Sequence, residues 1–121
     1  MKAVEYFKNG NSCSESIIRY AIEKGLCPES FFPAASAFSG GMSSGCICGT
    51  VAAVQMISGF NDPQNARANA KYIVEEFKKR NKVTCCRVLS AGVEGMAKKE
   101  HCSKYVTDAW EILEQVLKVK V

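Results

Sequence analysis

Apolar residues return every three or four positions through most of this chain, and no other feature constrains its fold as much. Residues at that spacing share one face of a helix, whereas a half-buried strand needs strict alternation. Ile17, Ile18, Ala21 and Ile22 form one such stripe. Ala66, Ala70, Ile73, Val74 and Phe77 form a second, and Val106, Ala109, Ile112, Leu113, Val116 and Leu117 a third. Alternation is nearly absent. The stretch from Cys48 to Ile57 is apolar all round, the pattern of a helix buried on every side.

Stop and start signals fit the stripes. Ser12-Cys13-Ser14-Glu15 has the form of a capping box, and Gly25 ends the helix it opens. Asp62 is placed to cap a further helix, with Pro63 in its first turn. A short helix is expected from Pro28 to Phe38, with Pro33 as a place to bend, followed by a turn at Ser39-Gly40-Gly41. Thr84 is read as the cap of a short helix carrying Cys85, Cys86 and Leu89, and Gly92 and Gly95 as a loop. No linker, repeat or low-complexity tract divides the chain. The expected fold is all-α: one domain over residues 1–121, a compact bundle of roughly five to seven helices with one apolar central helix. Apolar residues make up 47% of the chain, enough to build a core without staples.

The net charge is +4. The densest basic stretch, Lys78, Lys79, Arg80 and Lys82, closes a predicted helix, where cations suit the dipole and the solvent. No aromatic residues interleave those charges, so no nucleic-acid partner is expected. The longest apolar run, Val51 to Ile57, is broken by Gln55 and falls far short of the roughly 18 residues of a membrane span. MKAVEYFKNG contains neither an apolar signal core nor twin arginines. The expected location is the cytoplasm, where thiols stay reduced.

Against that setting the seven cysteines stand out. An odd number cannot pair completely, and a reducing compartment argues for metal binding or redox chemistry over a disulfide scaffold. Cys13, Cys48, the Cys85-Cys86 pair and Cys102 fall at or near predicted helix starts. Helix N-termini carry unpaired N–H groups and partial positive charge, which favour thiolate. Cys13 shares a face with Ile17 and Ala21, and Cys102 with Val106, Ala109 and Leu113, so both are expected to point inward. Several thiolates in an apolar pocket repel one another unless a cation compensates them. The bland alternative is neutral, buried thiols packing as small hydrophobes.

These blocks resemble the redox-active family named for its cysteine pattern, C_GCAxxG_C_C. Gly10-Asn11-Ser12-Cys13 is similar to its first cysteine block and Phe38-Ser39-Gly40-Gly41 to its glycine-rich turn. Cys48-Gly49-Thr50-Val51-Ala52-Ala53 resembles the Cys-Gly-Ala-x-x-Gly motif, with Thr50 in place of Ala and Ala53 in place of Gly. Cys86-Arg87-Val88-Leu89 resembles the third block, and Cys102 followed by Val106 the fourth. Cys27, Cys46 and Cys85 are additional. The resemblance covers nearly the whole chain and implies a redox or prosthetic-group role, an iron–sulfur centre among the options.

Three chemistries compete. In the first, Cys13, Cys48, Cys86 and Cys102 ligate an iron–sulfur cluster for electron transfer, with Cys46 or Cys85 as substitute ligands. Gly40, Gly41, Gly45 and Gly49 would then let backbone N–H groups approach sulfur, although ordinary turn chemistry explains them equally well. In the second, Cys46 and Cys48 exchange thiol for disulfide. In the third, the cysteines hold structural zinc, which usually prefers close-spaced pairs. The first is the expectation adopted: an electron carrier serving a redox partner protein rather than a stand-alone enzyme. A homodimer is compatible with the sequence, but nothing in it argues for one. His101 reads as an exposed loop residue beside Cys102, Cys27 as a helix-entry residue without a role, and Trp110 and the phenylalanines as core.

Overall fold

Ser12 opens the first long helix as its sequence predicts. Its hydroxyl accepts from the Glu15 backbone N–H at 3.3 Å, and the Glu15 carboxylate accepts from the Ser12 N–H at 2.9 Å. Two amides that the helix leaves unpaired are thereby satisfied. The bond from Ser12 N–H, then that from the Ser36 hydroxyl, hold the Glu15 carboxyl below its ordinary pKa. Gly25, at φ +74°, supplies the left-handed residue just past the end of the same helix.

The computed structural model describes residues 2–37, 47–89, 91 and 95–118, with the backbone alone for 86–87 and 95–99. The helices are α1 (Ala3–Lys8), α2 (Cys13–Glu23), α3 (Phe31–Ser36), α4 (Gly49–Asn61), α5 (Ala66–Asn81), α6 (Cys86–Leu89) and α7 (Gly95–Leu117). A 3-10 turn, Pro63–Asn65, joins α4 to α5. Among the described residues there is no strand, only an isolated antiparallel bridge between Ile47 and Cys85. The fold is all-α, and no helix among the described residues is long and apolar enough to cross a membrane.

Helix α4 packs against α2, α5 and α7. Its Val51, Ala53, Val54 and Ile57 are fully buried, as are Ile17, Ile18 and Ala21 of α2, Ile73 and Phe77 of α5, and Val106, Ala109, Ile112 and Leu113 of α7. Burying each large side chain of this set stabilises the fold by about 1.5–3 kcal/mol. Yet α4 is not sealed on every side. Ala52, Gln55 and Met56 are half-buried, and Gln55 donates to the Ala70 carbonyl of α5. Helix α3 is fastened to α2 by two serines: Ser14 donates to the Ala35 carbonyl and Ser36 to Glu15, each at 2.7 Å.

Several expectations are corrected. Asp62 is the N-cap of a 3-10 turn that starts at Pro63, not of α5, and its side chain makes no capping bond. The chain first makes the 3-10 turn, and the Asp62 carboxylate accepts from the side chains of Asn65 and Asn69. Helix α3 is shorter than the Pro28–Phe38 span because its first turn starts only at Phe31. Gly95 is not a loop residue but the first of α7, which begins well before the apolar stripe at Val106. Phe60 is not core: it is 53% exposed at the end of α4, with its ring edge-on to Phe31.

Candidate functional site: a cysteine region around Tyr105

Cys48 is the N-cap of α4, where unpaired helix amides concentrate partial positive charge. It is buried, and its sulfur lies 3.1 Å from the Thr50 hydroxyl, itself fully buried. Its backbone N–H donates to the Thr84 carbonyl at 2.7 Å, and its neighbour Ile47 bridges Cys85. The sequence element that ends in Cys48 is therefore laced to the one that carries Cys85 and Cys86. The short bridge escaped the sequence reading because a single paired residue produces no alternation.

The Cys85 carbonyl accepts from the Val88 and Leu89 amides and so starts α6. Cys85 is thus not inside the helix, and Thr84 serves through its carbonyl rather than as a side-chain cap. Gly49 is buried as the first residue of α4. The side chain of Cys86, and Gly40, Gly41, Gly45 and Cys46 altogether, lie outside the described residues.

Helix α7 closes the other side. His101 and Tyr105 stand one turn apart on it, and both reach the carbonyl of Leu89, the last residue of α6. The His101 Nε2 lies 2.6 Å from that oxygen and the Tyr105 hydroxyl donates to it at 3.1 Å. The two side chains are 3.0 Å apart and their rings meet edge-on. His101 is therefore a helical, hydrogen-bonded residue rather than a loop histidine, although it remains exposed. Burial raises the pKa of the Tyr105 hydroxyl, and negative charge on Cys102, Cys48 and Asp108 adds to the rise.

Cys102 is half-buried and packs against the apolar core. It lies seven residues beyond Gly95, in the third turn of α7, and not at a helix start. The helix field that favours a thiolate fades within the first turn, so it does not act on Cys102. Cys13 is the first residue of α2 and is likewise half-buried against the core. Cys27 is a different kind of residue. It is buried in the core, and loss of solvent pushes its thiol up to about 11. It stays protonated at neutral pH and packs as a small hydrophobe.

Polar ties brace α7 against the end of α5. Arg80 bonds Glu111 at 2.7 Å and Asp108 at 3.4 Å, while Asn81 and Lys104 also reach Asp108. The basic stretch read as a solvated helix end thus includes one residue with a fixed partner on another helix.

Over residues 11–116 the chain matches the family described as "Putative redox-active protein (C_GCAxxG_C_C)". It belongs to that family. No curated protein and no solved structure matches the chain. Of the cysteine segments, those of Cys48 and Cys85–Cys86 are tied by the Ile47–Cys85 bridge, and α7, which carries Cys102, bonds the Leu89 carbonyl of α6 through Tyr105. Tyr105 and Thr50 were missed from sequence. Their one advance signal was closeness along the chain to Cys102 and Cys48.

The sulfur-rich donor set suits a soft, thiolate-seeking metal centre in its chemistry. Among the described residues, no three His, Cys, Asp or Glu side chains come together closely enough to hold a metal ion. The region can also do thiol chemistry without a metal, because it places the buried Cys48 sulfur beside the Thr50 hydroxyl.

Proposed function

We propose that this family member is an electron-transfer protein of the cytoplasm whose cysteines hold an iron–sulfur centre. The observation that carries this reading is the convergence of the Cys48, Cys85–Cys86 and Cys102 segments, through one backbone bridge and the bond from the Tyr105 hydroxyl to the Leu89 carbonyl. Cys13, Cys48, Cys86 and Cys102 are the ligands in this reading, and Cys46 and Cys85 the substitutes. The centre, when bound, supplies a one-electron couple, passed to a redox partner protein. The chain's own part is to keep water from the Cys48 sulfur, buried at the N-terminus of α4, and to offer a hydroxyl from Thr50. Gly49, buried as the first residue of α4, lets the backbone come close to the sulfur in this reading.

A second reading is thiol–disulfide exchange at Cys46 and Cys48. The buried Cys48 sulfur, 3.1 Å from the Thr50 hydroxyl, supports it. There, two thiols would lose two electrons and two protons to an oxidised partner disulfide, forming one S–S bond and breaking another.

The test is the iron, zinc and acid-labile sulfide content of protein purified without oxygen, with its visible spectrum. Iron and sulfide in near-equal amounts, lost in Cys48→Ser, support the first reading. Zinc alone moves the region to a structural role. Protein without metal whose thiols oxidise reversibly supports exchange.

A further inference from the structure

We infer that His101 and Tyr105 are positioning residues: together they clasp the Leu89 carbonyl, fix the Cys85–Leu89 block against α7, and thereby set the redox behaviour of the cysteine region. The redox part of this inference rests on the reading proposed above.

The physical need is clear from the size of α6. It spans only Cys86–Leu89, a single turn. A helix nucleus of that length costs more in backbone entropy than its one or two hydrogen bonds return, so it persists only where other parts of the fold hold it. One hold is on its N-terminal side, where Ile47 bridges Cys85 and the Cys48 N–H reaches Thr84. The other is at its C-terminal end. The Leu89 carbonyl has no further turn of α6 to bond, and α7 supplies its donors. A carbonyl only accepts, so His101 Nε2, at 2.6 Å, carries a hydrogen. The Tyr105 hydroxyl gives the second bond to the same oxygen.

The placement gives the clasp its consequence. Cys102 lies between His101 and Tyr105 on α7, and Tyr105 is buried. Leu89 is itself buried, at 7% exposure, whereas its neighbour Val88 is 57% exposed. Of the two described side chains of α6, one is thus buried and the other open to solvent. Released from the clasp, the Cys85–Cys86 block can move relative to Cys48 and Cys102, and the spacing between sulfurs sets both a cluster's surroundings and a disulfide's strain.

The experiment compares full-length wild type with His101→Leu combined with Tyr105→Phe, and with His101→Gln alone, which keeps an N–H donor. Amide hydrogen exchange at Val88 and Leu89 is read against that of α4, and the midpoint potential is read by titration. The double variant is expected to exchange at least tenfold faster at Val88 and Leu89, with α4 unchanged. Its midpoint is expected to shift by a tenfold change in equilibrium constant, ~60 mV for a one-electron centre or ~30 mV for a two-electron thiol pair. His101→Gln should stay near wild type in both readouts. Unchanged exchange, or an increase shared equally by α4, overturns the clasp. Faster exchange with an unmoved midpoint overturns the positioning role. Wild type without any redox couple defeats the functional reading instead, and exchange alone then decides the clasp.

Discussion

The interior formed by α2, α4, α5 and α7 and the cysteine region around Tyr105 are held by opposite means. In the interior, Ile17, Val54, Ile57, Ile73 and Leu113 are fully buried and interchangeable in kind. Any one contact is weak, and many neighbours share the load. In the cysteine region, among the described residues, directional bonds tie α6 alongside the buried Leu89: Cys48 to Thr84, the Ile47–Cys85 bridge, and two donors on the Leu89 carbonyl. Redundant packing sets global stability. Directional bonds set local geometry, which suits a region whose chemistry depends on sulfur spacing.

The largest effect should come from the interior. Ile57→Ala removes a fully buried side chain more than two turns along α4 from Cys48, and should cost about 2–5 kcal/mol in chemical denaturation. Thiol reactivity of the folded variant should match wild type. A changed reactivity of Cys48 or Cys102 would break the division between the regions.

Cys27 sharpens the contrast between two uses of cysteine. Its folded pKa of about 11 lies above the ordinary thiol value of 9.0. The folded state therefore holds this proton more tightly than the unfolded chain. The stability this confers is fully present below pH 9 and is lost as pH rises towards 11, about 2–3 kcal/mol in all. Unfolding measured across that window should fall more steeply for wild type than for Cys27→Ala, and Cys27 should resist alkylation at neutral pH. Rapid labelling of Cys27 in folded protein would place it with the reactive set.

Ser12→Ala should cost about 1 kcal/mol by removing a cap on α2. Because this cap immediately precedes Cys13, labelling of Cys13 should quicken while that of Cys102 should not. The smallest change in stability, about 0.5–1 kcal/mol, is expected for Thr50→Val, which removes the hydroxyl beside the Cys48 sulfur. Its readout is chemical: the pH profile of Cys48 alkylation should move. A profile identical to wild type would remove Thr50 from the cysteine region.

Much of the fold was legible because its signals are local. Ser12 and Glu15 form their capping box within one turn, and the stripe through Ile17, Ile18 and Ala21 buries the face it predicts. Boundaries were less legible where tertiary contacts override local preference. The start of α7 at Gly95 moved Cys102 from a helix end into a helix interior, and with it the reason for its placement. The candidate site was half legible. Cysteine placement pointed to Cys13, Cys48, Cys86 and Cys102 without saying which of them meet, while Tyr105 read only as another residue of an amphipathic helix.

The sequence by itself determined the all-α class, the apolar faces and the cysteine-rich character, because periodicity, caps and composition act over a few residues at a time. Only the tertiary structure decided that Cys48 would meet the Cys85 segment across a backbone bridge, that Cys27 would be sealed away as an inert thiol, and that His101 and Tyr105 would share one carbonyl. Those outcomes join residues distant along the chain. Their loop-closure entropy is offset only once the whole interior packs, so no short stretch of sequence can signal them in advance.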